Sequence, residues 1–236
     1  LSTQISLTAT GVPWIFRLPP NNRAQAIYLL KHGIPAGLNK LILISDNTRQ
    51  CRPQATLIRN MLQKSKRNLL RHVQIRDWQT DHQVLQNLLT TLKADAIVLS
   101  VSTLHLGKIS KLLNRKKLTM PLFSLWRPGM GSLKEGSGNT AQSSIISPFP
   151  INRESPVAKE YRKRFKQRIS HAAIYGYDAA GLLIRAIQLK GLRHSAILKG
   201  LRSLSGHVGE SGPIRWDKLG NNRKNRVFFN ISGQSP

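Results

Sequence analysis

Two short runs in the chain contain no polar residue at all: Leu41-Ile42-Leu43-Ile44 and Ala96-Ile97-Val98-Leu99. A strand that is apolar at every position must be covered on both faces, which is the pattern of a parallel sheet between layers of helix. The intervals between the runs fit that arrangement. Asn22 to Lys31 reads as a helix with an Asn cap and Gly33 behind it. Ala55, Ile58, Met61 and Leu62 space a second helix, and Val84, Leu85, Leu88, Leu89 and Leu92 a third. His72 to Trp78 alternates as a strand, Leu106 to Leu113 is helical, and Met120 to Leu125 closes the series as a strand. The order predicts an α/β fold, a parallel sheet with helices on both faces. Ligands bind such sheets beyond the carboxyl ends of the strands. Those ends are Ser45-Asp46-Asn47, Ser100-Val101-Ser102-Thr103 and Ser124-Leu125-Trp126-Arg127, with Ser45, Ser100 and Ser124 expected along one rim.

The second half of the chain reads differently. Gly129 to Ser144 has the Gly and Ser content of a loop. Helices are predicted over Pro156–Ile169, His171–Lys190 and His194–Leu204. The tail, from Gly212-Pro213-Ile214 through the turn at Lys218-Leu219-Gly220-Asn221 to Val227–Ile231, reads as a β-hairpin.

Charge bounds the partners rather than the fold. Across 236 residues, 37 Lys and Arg stand against 10 Asp and Glu, a net charge of +27. Such a surplus attracts polyanions, nucleic acid or anionic surfaces. The surplus runs the length of the chain. It is densest from Lys159 to Arg168, where Val157, Tyr161, Phe165 and Ile169 form an apolar stripe beneath a basic outer face. Lys64-Ser65-Lys66-Arg67 and Arg115-Lys116-Lys117 fall at helix ends, where cations complement the helix dipole. No helix-turn-helix, zinc-finger or aromatic-basic sheet pattern accompanies the charge.

Catalysis finds no constellation in the sequence. The seven His make no metal-ligand spacing with a carboxylate, and no cofactor or metal is expected. Asp77 and Asp81 straddle a strand-to-helix turn and read as caps. Cys51 lies between Arg49 and Arg52, cations that would favour its thiolate, but has no matched base. A single cysteine also rules out an internal disulfide framework.

Five segments, in order, resemble the type I periplasmic binding proteins, in the Leu/Ile/Val-binding branch of the ABC-transporter receptors. They are Ser2-Thr3 with Leu7-Thr8, Phe16-Arg17 with Pro20 and Asn21, and Ile42-Leu43-Ile44-Ser45-Asp46. Tyr177-Asp178-Ala179 and the run Gly212-Pro213-Ile214-Arg215-Trp216-Asp217-Lys218-Leu219-Gly220 complete the set. The resemblance implies a two-lobed fold, N-terminally incomplete here: a second lobe from 18–147 and 206–236, and a partial first lobe from 1–17 and 148–205. Helices at 156–204 would then lack their sheet, and the isolated chain is expected to aggregate or dimerise. The implied function is a receptor that captures a small polar ligand, amino acid-like or another small organic anion, between two lobes for a membrane permease. Its location would be periplasmic or secreted, although no signal-peptide pattern opens the chain. The alternative is a basic protein that binds polyanions or nucleic acid.

By position in the resemblance, Ser2 and Thr3 match a loop that holds a ligand carboxylate, though they also read as an ordinary polar terminus. Gln50 stands where the family carries an aromatic, and Cys51 where it carries Gly. Ser102 and Thr103 stand at a strand end that contacts ligand, and also read as a helix cap. Arg127 stands where amino acid receptors use a carboxylate for the ligand ammonium, so its charge favours a carboxylate or phosphate. Tyr175 completes the candidate binding set, with core packing as its other reading.

Overall fold

A computed structural model describes residues 2–126, 143–147, 149, 151–224 and 228–231 of the chain. The first apolar run becomes β1 (Lys40–Asp46), buried from Leu41 to Asp46. It lies between β2 (Asn68–Ile75) and β3 (Ala96–Ser100) and is parallel to both. Beyond β3, β4 (Leu122–Ser124) and β5 (Ser143–Ser147) continue the parallel array. With β8 (Phe228–Ile231) the six-stranded order is β2-β1-β3-β4-β5-β8. Ser45 pairs with Ser100, and Ser124 pairs with Leu99, so the three serines do line one rim.

Helices cover both faces because adjacent side chains on a strand point opposite ways. Ile42, Ile44, Ile97 and Leu99 pack with Leu85 and Leu89 of α4 (Trp78–Thr91) and with Leu106, Ile109 and Leu113 of α5 (Thr103–Arg115). On α3 (Cys51–Gln63) the buried residues are Cys51, Gln54, Ala55, Ile58 and Leu62, one face at helical spacing. Ser100 donates to the Cys51 carbonyl and to Gln54 Oε1, tying β3 to the start of α3. α2 (Asn22–Tyr28) passes into a π-helical turn at Leu29–Gly33. The loop after that turn is fastened by Arg67. Its guanidinium donates to the carbonyls of Leu30, Ile34, Pro35 and Leu38.

Several elements depart from the sequence pattern. β2 begins at Asn68 and ends at Ile75, while Trp78 opens α4 because the Asp77 carboxylate accepts from Gln79 N–H as its N-cap. Asp81 accepts from the backbone of Arg76 and Asp77, so both acids close the turn as expected. Ser143–Ser147, placed partly in the expected loop, forms β5; its two isoleucines among serines carry too weak an apolar signal to mark a strand. The predicted 212–231 hairpin does not form as one unit. Val208–Gly209 (β6) pairs antiparallel with Gly212–Pro213 (β7), and β8 joins the large sheet instead.

The chain divides into two compact units. One comprises Leu1–Asn21 and Pro148–Phe228, the other Asn22–Ser147 and Phe229–Pro236. By this division residues from 206, expected with the parallel sheet, group with the first unit as far as Phe228. Residues 206–223 bond into the first unit because their partners lie there. Asp178 accepts from the N–H groups of Glu210 and Ser211, and Arg17 exchanges backbone bonds with Gly220 and Asn222. Asp217 accepts from Leu219 and Asn221 N–H and closes the turn. Gly220 takes φ +80° there, and a Cβ would run into the Ile15 carbonyl.

Helices of this first unit are α1 (Ser6–Ala9), α6 (Pro156–Phe165), α7 (His171–Lys190) and α8 (His194–Ser203). Ser155 and Ser170 cap α6 and α7 by accepting from Ala158 and Ala173 N–H. α7 and α8 pack closely because Gly200 has no side chain: a Cβ would sit 2.8 Å from the Ala186 carbonyl oxygen. α7 also carries exposed apolar side chains, with Leu183 45%, Ile184 56% and Leu189 59% accessible, and Leu192 beyond it 77%. This is the uncovered helical surface expected from the sequence.

Candidate functional site

The carboxyl edge of the parallel sheet gathers the polar groups of the second unit. Asp46 ends β1 and is 1% exposed. Its Oδ1 accepts from Thr48 N–H at 3.1 Å and from Thr48 Oγ1 at 2.7 Å. Its Oδ2 accepts from Ser102 N–H and lies 3.0 Å from His105 Nδ1. Burial alone would disfavour the carboxylate, but these donors and the Cys51 thiol together hold Asp46 well below the usual carboxylate range. The pairing of β1 with β3 makes this possible, bringing residue 46 against the N-terminal turn of α5 at 102–105. Asp46 thus locks the start of α5 to the end of β1.

The other rim hydroxyls are engaged too. Ser45 Oγ lies 2.8 Å from His72 Nε2, and burial beside Arg59 pushes the His72 imidazole below its ordinary pKa. Ser124 Oγ donates to the Leu99 carbonyl. His105 stacks near Trp78, with ring centroids 6.0 Å apart. Ser102 Oγ and Asp46 Oδ2 both approach the same His105 nitrogen, so the three do not form a nucleophile-base-acid relay, in which the imidazole uses both nitrogens. Cys51 is fully buried, which removes its thiol from solvent.

The sequence candidates separate into two groups. Gln50, Ser102 and Thr103 come to the same sheet edge of the second unit. Gln50 precedes α3 and is exposed, with no capping bond from its side chain. Ser102 caps α5, its Oγ accepting from His105 N–H, while Thr103 is exposed. Ser2, Thr3 and Tyr175 belong to the first unit. Ser2 Oγ accepts from Gln4 N–H, and Thr3 is buried. Tyr175 is 1% exposed and meets Phe149 edge-on, and burial raises its phenol pKa further above the ordinary value. Arg127 lies outside the described residues. The central residues missing from the sequence candidates are His105 and Asp46 acting as a hub. Their separation of 59 positions closes only once β1 and β3 are adjacent. A polar residue ending a fully apolar strand was the available signal.

Tyr177-Asp178-Ala179 has a structural use here, since the buried Asp178 accepts from the β6–β7 turn. No group of His, Cys, Asp and Glu able to hold a metal occurs among the described residues.

No family model matches the chain, and no curated protein matches its sequence. Solved structures do. A leucine binding protein of Thermotoga maritima superposes with a TM-score of 0.75 at 17% identity, covering 95% of this chain and 69% of that one. A branched-chain amino acid transporter substrate binding protein of Streptococcus pneumoniae, in complex with isoleucine, gives 0.77 at 19% identity, covering 97% and 70%. A solute binding protein of an ABC transporter from R. palustris, in complex with benzoate, gives 0.71 at 15% identity, covering 95% and 67%. The chain has the type I periplasmic-binding-protein fold.

Proposed function

We propose that the chain is a solute-binding receptor for an ABC transporter and that its solute is a small organic anion, amino acid-like or simpler. One observation carries the reading. In a fold shared with solute receptors, the carboxyl edge of the sheet presents exposed Gln50 and Thr103 around a fixed, hydrogen-bonded rim. The solutes named for the similar structures, isoleucine and benzoate, have a carboxylate in common. In sequence Arg127 follows β4 by three positions, and its positive charge would favour the same group. Gln50, Ser102 and Thr103 are the candidate contacts of the second unit, and Ser2, taken by itself, is the candidate of the first. Thr3 and Tyr175 support the first unit from inside. A membrane permease is the partner, and the periplasm or the cell exterior is the location. No helix among the described residues is long and apolar enough to cross a membrane.

The test is calorimetry and thermal melting with leucine, isoleucine, benzoate and a duplex DNA at low and high salt. A carboxylate solute that binds saturably, raises Tm and keeps its affinity at high salt supports the receptor. Thr103→Ala and Gln50→Ala should each weaken it. If only DNA binds, with affinity falling steeply as salt rises, the polyanion alternative takes its place.

A further inference from the structure

Between α4 and α5 lies an open groove of about 320 Å³. Four cations from α5 and its C-terminal turn line it: Lys108, Lys111, Arg115 and Lys116. Trp78 and His82 of α4 form the opposite wall. Arg115 and Lys116 sit at the helix C-terminus, where the dipole accounts for a cation. Lys108 and Lys111 lie mid-helix, where it does not.

None of the four cations is in an ion pair among the described residues. The acids nearest in sequence are engaged elsewhere. Asp77 and Asp81 bind backbone amides at the start of α4, and Asp95 accepts from Asn39 and Lys40 N–H. The groove is therefore a concentration of positive charge without an internal counter-charge. Its floor is apolar, formed by the buried Leu112. Lys108 Nζ stands 5.5 Å over the Trp78 ring, which also stacks in an offset fashion with His82 and His105 at centroid distances of 6.2 and 6.0 Å, so this wall of the groove is aromatic.

We propose that this groove binds a nucleoside polyphosphate, separately from the solute at the sheet rim. A multiply charged phosphate chain satisfies the α5 cations, and the aromatic wall of Trp78 and His82 offers the base a stacking surface. Binding transfers the Lys108 ammonium from the ring to phosphate oxygen, so the base takes the place the cation leaves. The volume is at the small end of ligand sites and suits one nucleotide rather than a helical nucleic acid. The proposal does not depend on the receptor reading, because it uses none of the rim residues.

Calorimetry on the full chain with ATP, tripolyphosphate and adenosine tests it. ATP is expected to bind about tenfold tighter than tripolyphosphate, the difference a stacked base makes. Adenosine alone should bind far more weakly than either. Lys111→Glu with Arg115→Glu, both exposed positions, should abolish ATP and tripolyphosphate binding. Trp78→Leu should bring ATP down to the tripolyphosphate level. Arg162→Glu with Arg164→Glu makes the same charge change on α6 and should leave ATP affinity within about twofold. Equal affinity for ATP and tripolyphosphate overturns the proposal. So does an equal loss from the α6 pair, or no ATP binding at all.

Discussion

Asp46→Ala tests whether the rim is held by its carboxylate. The substitution removes an acceptor shared by Thr48 N–H, Thr48 Oγ1, Ser102 N–H and His105 Nδ1. Thr48 is exposed and regains water, so its two bonds cost little. Ser102 N–H and His105 are partly buried and lose a charged partner. Hydrogen bonds to a charged group contribute about 1.5–3 kcal/mol each, and these two are not independent. The expected loss is about 3 kcal/mol, within the range for breaking a buried charged network. With a urea slope of about 2 kcal/mol per molar, the unfolding midpoint should fall by about 1.5 M. Asp46→Asn keeps one acceptor but turns an amide toward a donor, and should lose about half as much. The pH dependence has a definite sign. Because the folded Asp46 is more acidic than the unfolded one, its stabilisation is complete above the unfolded pKa of about 4. It is lost as pH falls through the folded value, so wild type and Asp46→Asn should converge in acid. A midpoint change under about 0.3 M for Asp46→Ala, or a gap that widens in acid, would refute the reasoning.

Three further outcomes follow from the packing. Gly200→Val should separate α7 from α8 and cost about 3 kcal/mol, seen as a lower Tm, because the added Cβ meets the Ala186 backbone rather than a movable side chain. Arg67→Ala should destabilise by about 2 kcal/mol in urea unfolding by removing a donor from four carbonyls, and Arg67→Lys should recover only part of it, lacking the planar fork. The apolar surface of α7 should drive concentration-dependent self-association, read by light scattering. Ile184→Lys with Leu189→Lys, both exposed, should reduce it without lowering Tm.

The parallel sheet was legible because its strands announce themselves. Leu41–Ile44 and Ala96–Leu99 are apolar at every position, and serines mark where each leaves the core. β2 was harder to place. Its burial alternates only loosely, and the Asp77 cap, a local side-chain bond, decided where strand gave way to helix. β5 escaped because pairing with β4, rather than its own composition, makes it a strand. At the site, sequence position put Gln50, Ser102 and Thr103 on one edge, a consequence of the strands running parallel. It did not reveal that Asp46 and His105 meet, since their contact depends on which strands are neighbours. Charge was the least legible feature. Arg67 reads as one more cation in a basic cluster, yet its guanidinium serves four backbone carbonyls.

The saturated hydrogen bonding of the rim bears on selectivity. Ser45 already spends its hydroxyl on His72, Ser102 its hydroxyl on the His105 N–H, and Asp46 its carboxylate on Thr48, Ser102 and His105. On the proposed reading, an incoming solute meets dipoles that need no reorganisation, so little conformational entropy would be surrendered on binding. Discrimination would then fall to the few side chains still uncommitted, and exchanging them would alter preference while the scaffold beneath stays fixed.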